Sequence, residues 1–319
     1  MNLNPIIKAI KANKTFVLTT HANPDVDALT SELALAIYLR SLGKIVHVIN
    51  ADAPLKVYRF LPKINWVKKY NGKPLRYDVA IFLDCADFSR IGSVEGLIDR
   101  EKMIINIDHH ITNEKFGCLN FVDSQASSAA EMVFTFLKSV RYKLTKDIAI
   151  LLYSGIMTDT GSFRYDNTSP YTHQVVSELL TFKFSANQIY RKIYEAVNLK
   201  DLVILAKILD RFEIHHQGKV VCIELTKQIL KGFSGEFDLR DKIFTFLRAI
   251  QGIEVVVIFT ENKGDFTRVN FRSQGKVDVS RVASKYNGGG HAKASGGYLA
   301  MSLKKAKKEV LRYLSKVVC

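Results

Sequence analysis

Residues 16–27, Phe-Val-Leu-Thr-Thr-His-Ala-Asn-Pro-Asp-Val-Asp, join a strand-like apolar run to side chains that can bind a metal, namely His21, Asp25 and Asp27. Two later apolar runs, 79–83 and 103–107, lead into similar clusters. These clusters contain Asp84 and Asp87, and then Asp108, His109 and His110. In a parallel α/β sheet, residues just past the carboxyl ends of the strands gather in one crevice. The repeated pattern therefore predicts a parallel sheet with a site for two divalent metal ions at one edge.

Each cluster taken alone has a structural alternative. Asp25 and Asp27 flank a predicted helix start, where carboxylates commonly cap the helix. Asp84 also fits a helix cap, although a charge directly behind a buried strand is costly unless it is paired or ligated. The adjacent His109 and His110 have little structural use, whereas imidazoles are common transition-metal ligands. The three clusters together favour a metal site.

The first part of the chain alternates strand-like and helix-like segments. Predicted strands cover 16–20, 45–49 and the two runs that precede Asp84 and Asp108, and predicted helices cover 27–42, 128–140 and 146–155. This alternation predicts an α/β domain with a parallel sheet and helices on both faces. Residues 128–131, Ser-Ala-Ala-Glu, fit a capping box at the start of one helix.

The second part of the chain has a different pattern of predicted helices and strands. Residues 185–209 are helical in pattern and predict a connector, after which two hairpins are expected at 212–225 and 254–272, with a helix at 239–250 between them. We therefore expect a smaller α/β domain with a mixed sheet. The predicted organisation is a catalytic domain at 1–184, a helical connector at 185–210 and a substrate-binding domain at 211–319.

The length and amino-acid composition of the chain limit the classes of protein to which it can belong. The chain has 319 residues and no apolar run near the ~18 to 20 residues of a membrane span. The first residues lack the apolar core of a signal peptide, and the four cysteines are scattered, so we expect reduced thiols in a cytoplasmic protein. The net charge of +15 either attracts polyanions or reflects a lysine-rich surface. The lysine cluster at 304–308 is interpreted as a solvated helix face.

Two further motifs carry chemistry. Asp159 and Arg164 follow an apolar helix; Asp159 offers a carboxylate ligand, and Arg164 either binds a phosphate or forms a surface salt bridge. Residues 287–297 are glycine-rich and contain His291. They predict either a flexible turn or a loop whose backbone amides bind an anion. Arg272 and Ser273, at the end of the preceding strand, are expected to reach the same pocket.

With these motifs in this order, the chain resembles the DHH phosphoesterase superfamily, specifically the DHH–DHHA1 branch of nanoRNases and pAp phosphatases. The resemblance covers nearly the whole chain. One departure is Val26, where many relatives have glycine. The motifs that carry the resemblance are His21, Asp25, Asp27, Asp84, Asp108, His109, His110, Asp159 and the loop Gly288, Gly289, Gly290 and His291.

The resemblance implies a ligand set and a division of labour. It assigns one Mn²⁺ ion to His21, Asp25 and Asp84, and a second to Asp27, Asp84, His109 and Asp159, with Asp84 bridging. Asp108 would orient a histidine ligand, and His110 and Arg164 would contact a substrate phosphate. The DHHA1 domain would grip a terminal nucleotide through Arg272, Ser273, Gly288, Gly289, Gly290 and His291. Mg²⁺ or Co²⁺ are expected as substitutes for Mn²⁺.

The expected activity is Mn²⁺-dependent hydrolysis of short RNA, dinucleotides and 3′-phosphoadenosine 5′-phosphate (pAp) by a homodimer. Hydrolysis of cyclic di-AMP or pApA is an alternative within the superfamily. A long-strand exonuclease of the RecJ type and an inorganic pyrophosphatase are disfavoured by chain length and by the glycine-histidine loop, respectively. A non-catalytic nucleotide-binding regulator is the alternative from another class, and the intact ligand set argues against it.

Overall fold

The computed structural model describes residues 3–195, 197–235, 237–262 and 264–318. The chain divides into two compact units, Met1–Glu195 and Ala196–Cys319. The predicted connector at 185–210 contains two helices, one in each unit. Within the described ranges, every helix is too short or too polar to cross a lipid bilayer.

The first unit is built on a six-stranded parallel sheet of order β3-β2-β1-β4-β5-β6. Its strands are β1 (Thr15–Thr19), β2 (Ile45–Asn50), β3 (Val67–Lys69), β4 (Val79–Leu83), β5 (Met103–Asp108) and β6 (Leu119–Val122). Its helices are α1 (Asn4–Ala12), α2 (Val26–Ser41), α3 (Ala129–Ser139), α4 (Lys146–Asp159), α5 (Pro170–Leu180) and α6 (Ala186–Tyr194). The predicted parallel α/β sheet is confirmed.

The strand order reverses between β1 and β4, because β2 and β3 follow on one side and β5 and β6 on the other. Ligands of open α/β sheets bind at such a reversal, outside the carboxyl ends of the strands. One face of the sheet packs on α2, α3 and α4, and the other packs on the 3₁₀ helix Phe88–Gly96 and its neighbouring segments. All five residues of β4 are buried, as a strand covered on both faces requires.

Helix α4 runs one turn past its predicted end at Gly155. The reason lies in packing, since a Cβ atom on Gly155 would lie 2.6 Å from Thr30 Oγ1 and 2.7 Å from Asp27 Oδ1 of α2. This glycine allows close contact between two helices and does not end one. The extra turn carries Asp159 to the sheet edge where β1, β4 and β5 end.

The second unit has a mixed sheet of order β11-β12-β10-β9-β8-β7, in which only the β8–β9 pair is parallel. Its strands are β7 (Glu213–His215), β8 (Val220–Leu225), β9 (Val255–Glu261), β10 (Thr267–Ser273), β11 (Gly289–His291) and β12 (Ala294–Leu299). Its helices are α7 (Leu199–Leu209), α8 (Leu239–Arg248), α9 (Val279–Ser284) and α10 (Leu303–Leu314). Both predicted hairpins are confirmed, although Lys263 in the second turn lies outside the described residues.

The two faces of this sheet are covered differently. Helices α9 and α10 pack on one face across most of its width. On the other face, α7 and α8 form a core with β8 and β9. The side chains of β10, β11 and β12 that point to this second face are only partly buried or exposed. This part of the sheet, which we call the open face, therefore remains accessible.

Candidate metal centre and nucleotide face

The three predicted clusters converge where β1, β4 and β5 end. Asp84 lies directly after β4 and is buried, with a left-handed backbone conformation at φ +53°. Such a conformation is uncommon for a residue other than glycine, and it concentrates at functional sites. Asp84 Oδ1 has no hydrogen-bond partner among the described residues. A strained, buried carboxylate with an unsatisfied oxygen fits a ligand to a cation.

Imidazoles approach Asp84 from both sides. His21 Nε2 lies 3.4 Å from Asp84 Oδ2, and His109 Nε2 lies 3.3 Å from Asp84 Oδ1. Burial raises the pKa of Asp84, but the neighbouring imidazoles of His109 and His21 lower it overall to well below its usual value. Each oxygen of this carboxylate thus faces a different histidine, which is the geometry that a ligand shared between two ions requires.

His21, Asp25 and Asp84 form one group of side chains whose ligand atoms lie within 4.8 Å of one another. His21 Nδ1 is 2.9 Å from the Ala22 carbonyl oxygen, so a proton on Nδ1 leaves Nε2 available as a ligand. Asp25 Oδ1 caps α2, as predicted, by accepting from the Ala28 amide, and its Oδ2 lies 4.0 Å from His21 Nε2. Residue chemistry and spacing fit the first predicted metal position.

Asp27, His109 and Asp159 form a second such group. The Asp27 carboxylate accepts hydrogen bonds from the amides of Ala129 (2.7 Å) and Ala130 (3.0 Å) at the start of α3. The positive end of that helix therefore holds Asp27 in place. His109 Nε2 lies 3.6 Å from Asp159 Oδ2, and the same nitrogen faces Asp84. The structure thus brings together all six side chains predicted as metal ligands.

The electrostatics of this group favour the binding of a cation. Burial, followed by repulsion from Asp84 and Asp159, raises the pKa of Asp27 well above its usual value. Burial also raises the pKa of Asp159 to about 6, although His109 lowers it in part. Burial lowers the pKa of His109, but Asp159 and Asp84 raise it overall to well above its usual value. Asp27 and Asp159, whose pKa values are raised next to the ionised Asp84, form with it a carboxylate group that divalent cations would stabilise.

Asp108 contacts His110, which is not one of the histidines predicted to bind a metal ion. It was expected to orient a histidine ligand, yet its Oδ1 lies 2.7 Å from Nδ1 of His110, the residue assigned to the substrate phosphate. Its Oδ2 accepts from Asn113 Nδ2 at 2.6 Å, and Asn113 also bonds to Asn106. Asn113 gave no signal in the sequence because it lies in a loop beyond the motif.

A buried polar group behind β1 and β2 was also missed. Glu32 on α2 has no exposed surface, and its Oε2 accepts a hydrogen bond from Asn50 Nδ2 at 2.8 Å. Glu32 Oε1 and Thr20 Oγ1 are buried without a hydrogen-bond partner among the described residues. Burial raises the pKa of Glu32 to about 8. A glutamate directly before the apolar run 33–39 of α2 is the sequence signal that marks this position.

The structure also shows the surroundings of Asp87, of Arg164 and of the predicted capping box at 128–131. Asp87, in the second cluster, accepts a hydrogen bond from Ser89 Oγ and lies outside the metal-capable groups of described residues. Arg164 is exposed, and its Nε donates to the Gly161 carbonyl oxygen at 2.7 Å. The predicted capping box is only half formed. Ser128 caps α3, but the Glu131 carboxylate accepts hydrogen bonds from the hydroxyls of Ser127 and Thr172.

In the second unit, the glycine-rich segment forms the β11–β12 hairpin and is not an irregular loop. Paired residues of neighbouring strands share a face of the sheet. Arg272 pairs with Ala294, which pairs with His291. Arg272 and His291 therefore lie on the open face, with the small side chain of Ala294 between them. The guanidinium of Arg272 sits over the Phe244 ring at 4.7 Å.

Ser273 does not share that face. Successive side chains of a strand point to opposite faces, and Ser273 lies with Phe271 on the face that α9 and α10 cover. It is 4% exposed, and its Oγ has no hydrogen-bond partner among the described residues. The expectation that Ser273 reaches the same pocket as Arg272 is therefore corrected by the alternation of the strand.

The three glycines of the motif have different reasons to lack a side chain. A Cβ atom on Gly288 would lie 2.0 Å from the Gly296 carbonyl oxygen, and one on Gly290 would lie 2.6 Å from the Ala294 carbonyl oxygen. Both are needed for the hairpin to pack. A Cβ atom on Gly289 would meet no atom within 4 Å, and this residue lies on the open face. Packing within the protein therefore does not explain why residue 289 is a glycine. The close approach of a ligand would explain it.

Comparison with known proteins gives the same two-part organisation. Residues 15–156 match the model of the DHH family, N-terminal domain, and residues 225–318 match the DHHA1 domain. The chain is 31% identical over 307 residues to the "Bifunctional oligoribonuclease and PAP phosphatase NrnA" of Thermus thermophilus, covering 96% of this chain and 90% of that protein. It is 30% identical over 296 residues to the protein of the same name from Bacillus subtilis, covering 91% of each.

A solved structure agrees over nearly the whole length. The crystal structure of an exopolyphosphatase-related protein from Bacteroides fragilis is similar with a TM-score of 0.85 and 25% sequence identity. The similarity covers 98% of this chain and 96% of that one. The fold with its two domains is therefore shared with that protein from end to end.

Proposed function

Because this chain belongs to the DHH family and carries a DHHA1 domain, we propose that it is a phosphoesterase that hydrolyses short oligoribonucleotides and pAp with two Mn²⁺ ions. The observation that carries the proposal is the buried carboxylate of Asp84, which faces a histidine on each side and has an unsatisfied oxygen. The names of its relatives in Thermus thermophilus and Bacillus subtilis support the substrate class.

The donor set fits two divalent ions. One ion would be held by His21, Asp25 and Asp84, and the other by Asp27, Asp84, His109 and Asp159. Mixed imidazole and carboxylate ligands suit Mn²⁺, with Mg²⁺ or Co²⁺ as substitutes. Bound together, two such ions polarise the phosphoryl oxygens and lower the pKa of a water molecule.

The remaining residues of the first unit position the substrate. Asp108 accepts a hydrogen bond from His110 Nδ1, and this bond orients the imidazole of His110, which would contact a phosphate oxygen. Asn113 holds the other oxygen of Asp108, so the Asp108–His110 pair is fixed before the substrate arrives. Arg164 is exposed close in sequence to Asp159 and supplies a guanidinium for a second phosphate oxygen.

In the second unit, the open face binds a terminal nucleotide. Arg272 and His291 flank Ala294 and supply donors for a phosphate, while Gly289 leaves room for the sugar or base. Ser273 is excluded from this role by its position on the opposite face. The proposal also includes a homodimer and a cytoplasmic location. A reducing compartment suits the three cysteines that are free among the described residues, Cys85, Cys118 and Cys222.

The decisive experiment compares activity and metal content. Metal-stripped protein is titrated with Mn²⁺ and assayed with pAp, oligoribonucleotides of two to five residues, pApA and cyclic di-AMP. We expect two ions per chain and the highest kcat/KM on short RNA and pAp. Asp84→Asn should bind fewer ions and lose turnover. Asp87→Asn, three positions away and outside the ligand groups, is the matched control and should remain active.

Three results would contradict the proposal. Near-normal turnover of Asp84→Asn would exclude a bridging role for that carboxylate. A single bound ion in the active wild-type protein would exclude a two-metal centre. A preference for cyclic di-AMP or pApA over short RNA and pAp would instead support the alternative activity, hydrolysis of cyclic di-AMP or pApA.

A further inference from the structure

Side chains on the open face of the second unit lie in three rows across β10, β12 and β11. The first row is Arg272, Ala294 and His291; the second is Asn270, Gly296 and Gly289; the third is Arg268 and Tyr298. Rows on one face of a sheet are two residues apart, so the first and third rows are separated by about 13 Å along β10. The nucleotide site proposed above uses only the first row and Gly289.

The second row lies between the other two and contains two glycines, so it is lower than they are. Gly296 has no side chain, and the Asn270 amide occupies the adjacent space, since a Cβ atom at 296 would be 2.8 Å from Asn270 Nδ2. Gly289 on the other side faces open space. A shallow groove therefore runs from the first row to the third without a large side chain across it.

The third row ends this groove with an aromatic ring and a cation. Tyr298 is 43% exposed, although most large apolar side chains of this sheet are buried. Arg268 is its direct cross-strand partner, and the guanidinium carbon lies 5.7 Å from the centre of the ring. Exposed aromatic rings beside arginines are the usual means by which proteins bind single-stranded nucleic acids, since any base can stack on the ring.

We infer that Arg268 and Tyr298 form a second nucleotide subsite, in which Tyr298 stacks on a base and Arg268 binds the phosphate next to it. This inference rests on the proposed function, because it extends the terminal-nucleotide site of the first row. A mononucleotide held at Arg272 and His291 does not reach the third row, whereas an oligoribonucleotide does. The subsite thus separates oligonucleotide substrates from pAp.

Asn270 gives an independent observation within the same groove. Its Oδ1 is buried and has no hydrogen-bond partner among the described residues. Buried polar atoms are nearly always satisfied in folded proteins, so an orphan indicates a missing partner. The Asn270 side chain lies on the open face beside Gly296, where a ribose hydroxyl or an exocyclic amine between the two subsites would be a hydrogen-bond partner for its amide.

The test is equilibrium binding in EDTA, so that metal-dependent hydrolysis cannot occur. The ligands are AMP, which fills one subsite, and the trinucleotide ApApA, which fills both. Tyr298→Ala and Arg268→Ala should each weaken ApApA binding by about tenfold, since a base that stacks on an aromatic side chain contributes on this scale. AMP binding should change by less than about twofold, because AMP is held at the first row.

Conservative variants distinguish stacking from misfolding. Tyr298→Phe retains the ring and should bind ApApA like the wild type, and Arg268→Lys should show a partial loss because it retains the charge. Arg281→Ala removes an arginine that is 86% exposed on α9, which packs on the opposite face, and it serves as the charge-matched control. It should leave both affinities unchanged.

Two outcomes would overturn the inference. Equal losses for AMP and ApApA would place the third row in the terminal-nucleotide site, and unchanged ApApA binding in both alanine variants would leave the pair without a role. A wild-type protein that binds ApApA but hydrolyses neither RNA nor pAp with any metal would contradict the proposed function instead. The binding ratios would still decide the subsite in that case.

Discussion

Replacement of Glu32 by glutamine should make the first unit more stable, and increasingly so as the pH rises. Glu32 is fully buried, and burial raises its pKa to about 8, above the usual value of 4.5. Glutamine has the same shape and keeps an oxygen for the 2.8 Å hydrogen bond from Asn50. It cannot ionise, so it avoids the free-energy cost of a buried charge.

The sign follows from the protons that each state binds. Between pH 4.5 and 8 the unfolded chain loses the Glu32 proton while the folded chain keeps it, so wild-type stability falls as the pH rises through this window. Integrated from pH 5 to pH 8, this loss is on the order of 3 kcal/mol for Glu32 alone. The glutamine variant has no such dependence at this position. Relative to the wild type, it should gain that amount over the same range.

Denaturant unfolding of the metal-free protein at pH 5 and pH 8 measures this difference. Trp66 is the only tryptophan of the chain and lies in the first unit, where Arg40 of α2 stacks on its ring at 3.7 Å. Its fluorescence therefore follows the unit that contains Glu32. Glu101→Gln, at an exposed position, is the control and should show no change with pH relative to the wild type.

Equal destabilisation of Glu32→Gln at pH 5 and pH 8 would contradict this prediction. That result would mean that Glu32 is ionised in the folded state and is balanced by a positive partner. A gain of the same size in the Glu101→Gln control would also refute it, because the effect would then reflect net charge and not burial.

Further predictions concern the two binding regions. Asp84→Asn should lower kcat/KM by at least about 100-fold with every substrate, since each of its oxygens faces a different histidine; steady-state rates at saturating Mn²⁺ check this. Arg272→Ala and His291→Ala should lower kcat/KM for nucleotides by about 10- to 100-fold but leave bis-p-nitrophenyl phosphate hydrolysis unchanged, because the small reporter needs only the metals; equal losses on both would contradict the division of labour. Gly289→Ala should weaken AMP binding without lowering thermal stability, because its Cβ atom meets no protein atom within 4 Å, and a stability loss measured by calorimetry would give this glycine a structural role instead. Rates should fall steeply from RNA of two to five nucleotides to RNA of about twenty, because binding energy comes from a capped end, and a length series would detect the opposite result.

Local sequence determined the sheet and the candidate metal ligands that lie at its edge. A run such as 79–83 is apolar at every position, which indicates a strand covered on both faces, and Asp84 follows it directly. Parallel strands end at one edge, so the clusters behind β1, β4 and β5 had to converge. His21 and His109 meet at Asp84 for this reason, although they are separated by 88 positions in the chain.

Contacts between segments that are distant in the chain could not be predicted from the local sequence. Only the tertiary structure decided them. The amides of Ala129 and Ala130 hold Asp27, and Asn113 holds Asp108, because packing of a helix and a loop onto the sheet brings them there. Gly155 resembles a helix end in the sequence, yet it serves the close contact of α4 with α2.

The second unit shows the same limit. The sequence identified Arg272 and Ser273 as neighbours, and β-strand geometry then directed them to opposite faces of the sheet. The sequence could not reveal which face the helices leave open, because that depends on where α7, α8, α9 and α10 pack. Periodicity fixes which side chains share a face, whereas tertiary packing decides which face remains available to a ligand.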